Sequence, residues 1–74
     1  MKLLYEKDPM KQAARISPSE AIKVIEDRQP LGMFYTTEQT QSGRKVIVGI
    51  DNRTGDAWTE EFHALLLCLK WLHE

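Results

Sequence analysis

Three side chains able to ligate a metal, His63, Cys68 and His73, stand near the end of the 74-residue chain, each five residues from the next. On a helix that interval turns successive side chains about 140° apart, so the three cannot converge on one ion. Asp51-Asn52-Arg53-Thr54-Gly55-Asp56 is similar to a calcium loop, but Arg53 takes the second ligand position and the glycine comes one residue early, so the segment reads as a turn. Glu60 and Glu61 are the carboxylates best placed for acid/base work, yet neighbours on a strand point to opposite faces. Cys68 lies on an apolar helical stripe, where a thiol behaves as a small inert hydrophobe. The chain has no glycine-rich phosphate loop, no Gly-x-Ser-x-Gly elbow and no histidine paired with an acid at useful spacing. We therefore expect no enzyme, no cofactor and no metal centre.

The elements that would position these residues begin at Ser17-Pro18-Ser19-Glu20. A serine followed three residues later by a glutamate, with proline at the first helical position, makes a capping box. Ala21, Ile22, Val24 and Ile25 then form an apolar stripe at helical spacing, which Pro30 stops near Arg28 or Gln29. Three segments rich in aromatic and β-branched residues follow, spanning 31–37, 44–50 and 56–62, and the polar turn sequences between them are short enough for hairpins. From His63 or Ala64 to about His73, Leu65, Cys68, Leu69 and Leu72 mark a helix face. The expected fold is α+β: a helix, a three-stranded antiparallel β-meander and a second helix, with both helices on one face of the sheet.

Length allows one domain. We expect a weakly ordered basic arm over residues 1–15, where Lys2, Lys7, Lys11 and Arg15 outnumber Glu6 and Asp8, and a single α+β domain over residues 16–74. One cysteine closes the disulfide and thiolate-zinc routes to stability. The apolar run at Leu3-Leu4-Tyr5 is too short for a signal-peptide core or a membrane span, which makes the expected location cytoplasmic and leaves Asn52-Arg53-Thr54 as a turn rather than a glycosylation site.

The last helix carries the most information about function. Leu66, Leu67 and Trp71 widen its apolar surface until little besides Lys70 and His73 is polar, more than so small a domain readily buries. Leu66, Leu67, Lys70 and Trp71 are therefore the candidate protein-contact residues, at a homodimer seam or in a partner's groove. The alternative is nucleic acid. Helix, three antiparallel strands, helix is also the element order of double-stranded-RNA-binding domains, and Arg44, Lys45 and Arg53 would supply the basic patch. Against it, net charge is −1 and the region from Asp51 to Glu74 is acidic, with Glu60 and Glu61 standing where phosphate contacts are needed.

Over Ser17-Pro18-Ser19-Glu20-Ala21-Ile22, Pro30-Leu31-Gly32-Met33-Phe34-Tyr35, the stretch Val48 to Phe62 and Cys68-Leu69-Lys70-Trp71-Leu72, the chain resembles small proteins encoded by phages and prophages of Firmicutes. That resemblance covers most of residues 17–73 and carries no site residue with it. It implies an accessory factor that binds a host or phage protein.

Overall fold

A computed structural model of the chain describes residues 8–74. In chain order it contains β1 (Ala14–Arg15), α1 (Pro18–Asp27), β2 (Met33–Gln39), β3 (Lys45–Asp51), β4 (Trp58–Phe62) and α2 (Leu65–Leu72). The expected capping box opens α1: Ser17 Oγ accepts from the Glu20 N–H at 3.1 Å, and Glu20 Oε1 accepts from the Ser17 N–H at 3.0 Å. Bonding to the Ser17 backbone and then to its hydroxyl holds the Glu20 carboxyl below its ordinary range. The helix ends where expected, at Arg28, which turns into the left-handed region with φ 57° two residues before Pro30.

The sheet differs from the expected three-stranded antiparallel meander. It has four strands in the order β1-β2-β3-β4 and is mixed. β2 and β3 pair antiparallel, as do β3 and β4, but β1 pairs in parallel with β2, Ala14 opposite Phe34 and Arg15 opposite Tyr35. A parallel neighbour requires a crossover connection, and α1 supplies it. Residues 8–15, assigned to the basic arm from sequence, thus comprise a turn and an edge strand. The turn is held by Lys11 and Gln12 N–H groups, both bonded to the Asp8 carbonyl at 2.9 Å. Lys2 and Lys7 lie outside the described residues.

The second correction concerns the layers. Alternate residues of a strand face opposite sides of a sheet, and here both sides are covered. Phe34 and its register partner Ile50 pack with Ala21 and Val24 of α1 and with Ile16. Met33, one residue along β2, belongs to a separate cluster with Cys68 and Leu72 of α2, flanked by Tyr35, Ile47, Phe62 and Trp71. The two helices lie on opposite faces of the sheet, not on one. Burial on both sides explains why Met33-Phe34-Tyr35 at the start of β2 and Val46-Ile47-Val48-Gly49-Ile50 in β3 read as continuous apolar runs rather than as alternation.

Two glycines permit close approaches that set this arrangement. Gly32 has φ 144°, and a Cβ there would stand 2.5 Å from the Pro9 Cβ. The turn at residues 8–12 therefore lies directly against the start of β2, where the Met33 N–H bonds to the Pro9 carbonyl at 2.7 Å. Gly49, on β3, faces α2: a Cβ there would meet Cys68 Sγ at 2.9 Å and the Trp71 ring at 3.1 Å. α2 crosses the sheet over that missing side chain.

Candidate functional site

α2 follows β4 after a short turn and packs on β3 and β4. Cys68 and Leu72 are its fully buried residues, and they define its inner side. The outer side is apolar as well. Leu66 is 76% exposed, Leu67 54% and Leu65 41%. Of the expected contact residues, Leu66, Leu67 and Lys70 are exposed, whereas Trp71 is half-buried, its ring tilted against Phe62 with centroids 5.7 Å apart. The leucines at the start of α2 and the tryptophan near its end thus occupy different environments.

Two concave regions flank α2 on its face of the sheet. Beside its first turn, Arg15, Tyr35, Lys45, Ile47, His63 and Leu65 border a groove of about 380 Å³. Its basic residues come from the edge strand β1 and from the opening of β3, so it depends on the strand that sequence reading missed. Beside the last turn, Trp58, Glu60, Trp71 and Glu74 border a cleft of about 420 Å³ together with Asp51 and Arg53. Arg53 donates to both oxygens of Asp51, Nε to Oδ1 at 2.9 Å and Nη2 to Oδ2 at 2.7 Å. These bonds hold the Asp51 carboxyl below its ordinary range and cancel its charge in the cleft.

The basic residues of the nucleic-acid reading do not converge. Arg44 and Lys45 stand at the start of β3, while Arg53 lies beyond its far end, on the order of 20 Å away at strand rise. Arg53 is also committed to Asp51.

A third hollow, at the start of α1, is lined by Arg15, Ser17, Glu20 and Thr36 among others. Ser17 and Glu20 are spent on the helix cap, and the fully buried Thr36 hydroxyl has no hydrogen-bond partner. The exposed carboxylate of Glu20 opposes any anion drawn to the helix end.

Cys68 is fully buried, and burial pushes its thiol up to about 11, so it is protonated at neutral pH and screened from reagents. A disulfide reagent at pH 8 is expected to leave the native protein unmodified and to titrate one thiol in denaturant. Rapid native labelling would show that α2 lifts from the sheet. Among the described residues no group of three His, Cys, Asp or Glu side chains is placed to hold a metal ion, and no helix is long and apolar enough to cross a membrane.

From sequence, Trp58 reads as a residue that closes the core or covers the sheet, Glu60 is set aside as a lone acid/base carboxylate, and Glu74 carries no signal. The period-two spacing of Trp58 and Glu60 puts both on one face of a strand and was available as a signal; their meeting with Trp71 was not. Comparison with family models, with curated proteins and with solved structures gives no match to this chain.

Proposed function

We propose that this protein is a small noncatalytic protein-binding module whose contact surface is the outer side of α2. The observation that carries the reading is the exposure of three consecutive leucines, with Leu66 at 76%. The solvated parts of these leucines contribute nothing to the fold, whereas covering them would recover roughly 25 cal/mol for each Å² of apolar area removed from water. Arg15 and Lys45 border the same end of the helix, so the matching surface is apolar with acidic residues at its rim. The partner is accordingly a different protein of that chemistry, and the resemblance to phage and prophage proteins favours a host or phage protein in an accessory role.

The test compares the wild type with Leu66→Glu and Lys45→Glu as baits. Because Leu66 is exposed, Leu66→Glu is expected to change stability by no more than about 0.5 kcal/mol, as checked by thermal melting. A protein retained by the wild type and lost by both variants supports the reading. Equal recovery by all three baits removes the α2 surface from consideration. A concentration-dependent dimer abolished by Leu66→Glu in light scattering would make the occupant a second copy of this chain.

A further inference from the structure

The cleft at the other end of α2 has a chemistry of its own. Strand register builds its floor. Asp51 pairs with Trp58, and Gly49 with Glu60, so these two rungs of β3 and β4 present Trp58 and Glu60 on the α2 side of the sheet. Trp71 sits over Gly49, its six-membered ring edge 3.1 Å from where a Cβ would stand. Glu60, the cross-strand neighbour of Gly49, is therefore placed beside that indole. Phe62, two residues further along the same face of β4, braces the ring from its own side. Glu74 closes the cleft one helical turn beyond Trp71, its N–H directed at the Trp71 carbonyl at 3.5 Å.

The charge in this space is negative. Arg53 is consumed by Asp51, and neither Glu60 nor Glu74 has a side-chain partner among the described residues. Lys70, although four residues before Glu74, does not line the cleft. Trp58 is 65% exposed despite being the largest side-chain type, so its indole is open to a ligand instead of being used in the core. Indole faces carry negative potential and attract cations more strongly than other aromatic rings, and unpaired carboxylates at the rim add to that attraction. Anions are excluded by the same groups.

We propose that this cleft binds an organic cation: the alkylammonium head of a lysine side chain, its methylated forms included, with the aliphatic stem lying along the indoles. The site is independent of the leucine surface, because it uses other residues and does not require a partner at Leu66.

The chain has two tryptophans, Trp58 and Trp71, and both border the cleft. Their indole N–H resonances in a nitrogen–proton correlation spectrum therefore report binding directly. The full chain would be titrated with N-acetyl-lysine methylamide, its trimethyl-lysine counterpart, tetramethylammonium, and the neutral N-acetyl-norleucine methylamide. Saturable shifts of both indole signals in the millimolar range are expected with the lysine derivatives, and weaker affinity in high salt. Tetramethylammonium separates the sources: binding as tight as that of trimethyl-lysine assigns the site to free quaternary ammonium ions, and tighter binding of the lysine derivatives assigns it to a side chain with its stem. Trp58→Ala is expected to weaken binding by about threefold, the loss of one solvent-exposed cation–indole contact. Glu60→Gln should weaken it in the same direction while retaining size. Both residues are exposed, so neither variant removes core packing; unchanged dispersion of the backbone amide signals verifies the fold. Equal shifts with the norleucine derivative, no saturation with any cation, or undiminished affinity in both variants would each overturn the proposal.

Discussion

Replacing Asn52 by alanine is expected to destabilise the protein by about 2–4 kcal/mol, the cost of stranding two partly buried backbone groups at once. Asn52 is fully buried although polar. Its Nδ2 donates to the Pro30 carbonyl at 2.9 Å, and its Oδ1 accepts from the Ala57 N–H at 3.1 Å. Its backbone exchanges two further bonds with Gly32, at 2.7 and 3.2 Å. One side chain thereby ties the loop before β2 to the loop before β4 and holds Ala57 in the left-handed region, with φ 49°, a conformation that residues with a Cβ rarely adopt. Small domains have only about 5–15 kcal/mol of total stability, so the loss should appear as a large drop in the urea midpoint followed by tryptophan emission. Asn52→Asp makes a sharper comparison. It keeps the acceptor for Ala57 but, when ionised, turns a carboxylate on the Pro30 carbonyl. Burial and that carbonyl both raise the folded-state pKa of the new acid above its unfolded value. The aspartate variant should therefore be most stable below the unfolded pKa and lose stability as pH rises through the folded one. A midpoint for Asn52→Ala within about 1 kcal/mol of wild type would show that the two loops are held by other contacts.

The same residue shows what was legible in the sequence and what was not. Asn52 reads as one polar member of a turn, and the Pro30 carbonyl it serves lies twenty-two residues away, where no local pattern points. The capping box was legible because Ser17 and Glu20 complete their bonds within one helical turn. β1 was not, since Ala14 and Arg15 show no alternation and become a strand only by pairing with Phe34 and Tyr35. The placement of the helices on opposite faces had a signal that went unused. Met33 and Phe34 are adjacent and both large and apolar, so a strand holding them has an apolar residue on each face, and the structure buries both fully. For the candidate sites, the exposure of Leu66 followed from a helix apolar around most of its circumference. The cation cleft depends on register and on the depth at which Trp71 settles, and both are tertiary facts.

That depth is controlled at Gly49, and Gly49→Val is expected to destabilise the protein by about 1–3 kcal/mol, as overpacking does, with Gly49→Ala showing a smaller loss of the same sign. The sign is informative because strand propensity predicts the reverse. Gly49 lies inside a central strand, outside the left-handed region, where glycine costs roughly 0.5–1 kcal/mol relative to alanine and valine is favoured still more. Packing opposes this. Cys68 Sγ at 2.9 Å and two atoms of the Trp71 ring at 3.1 and 3.2 Å occupy the space a side chain would need, and both residues are fixed by α2, whose inner side is otherwise filled by the fully buried Leu72. To accept a Cβ, either the thiol must rotate away or the helix must rise from the sheet. The double variant Gly49→Ala/Cys68→Ala separates these outcomes: if the sulfur is the obstacle, its removal returns part of the loss and the two changes couple by more than about 0.5 kcal/mol. A rise of the helix instead displaces Trp71 from Glu60, so the indole N–H signal of Trp71 should move in Gly49→Val while that of Trp58, held on β4, moves less. Gly49→Ala as stable as wild type would mean that α2 does not rest on β3 at this distance, and the geometry of the cleft beside it would fall with that contact.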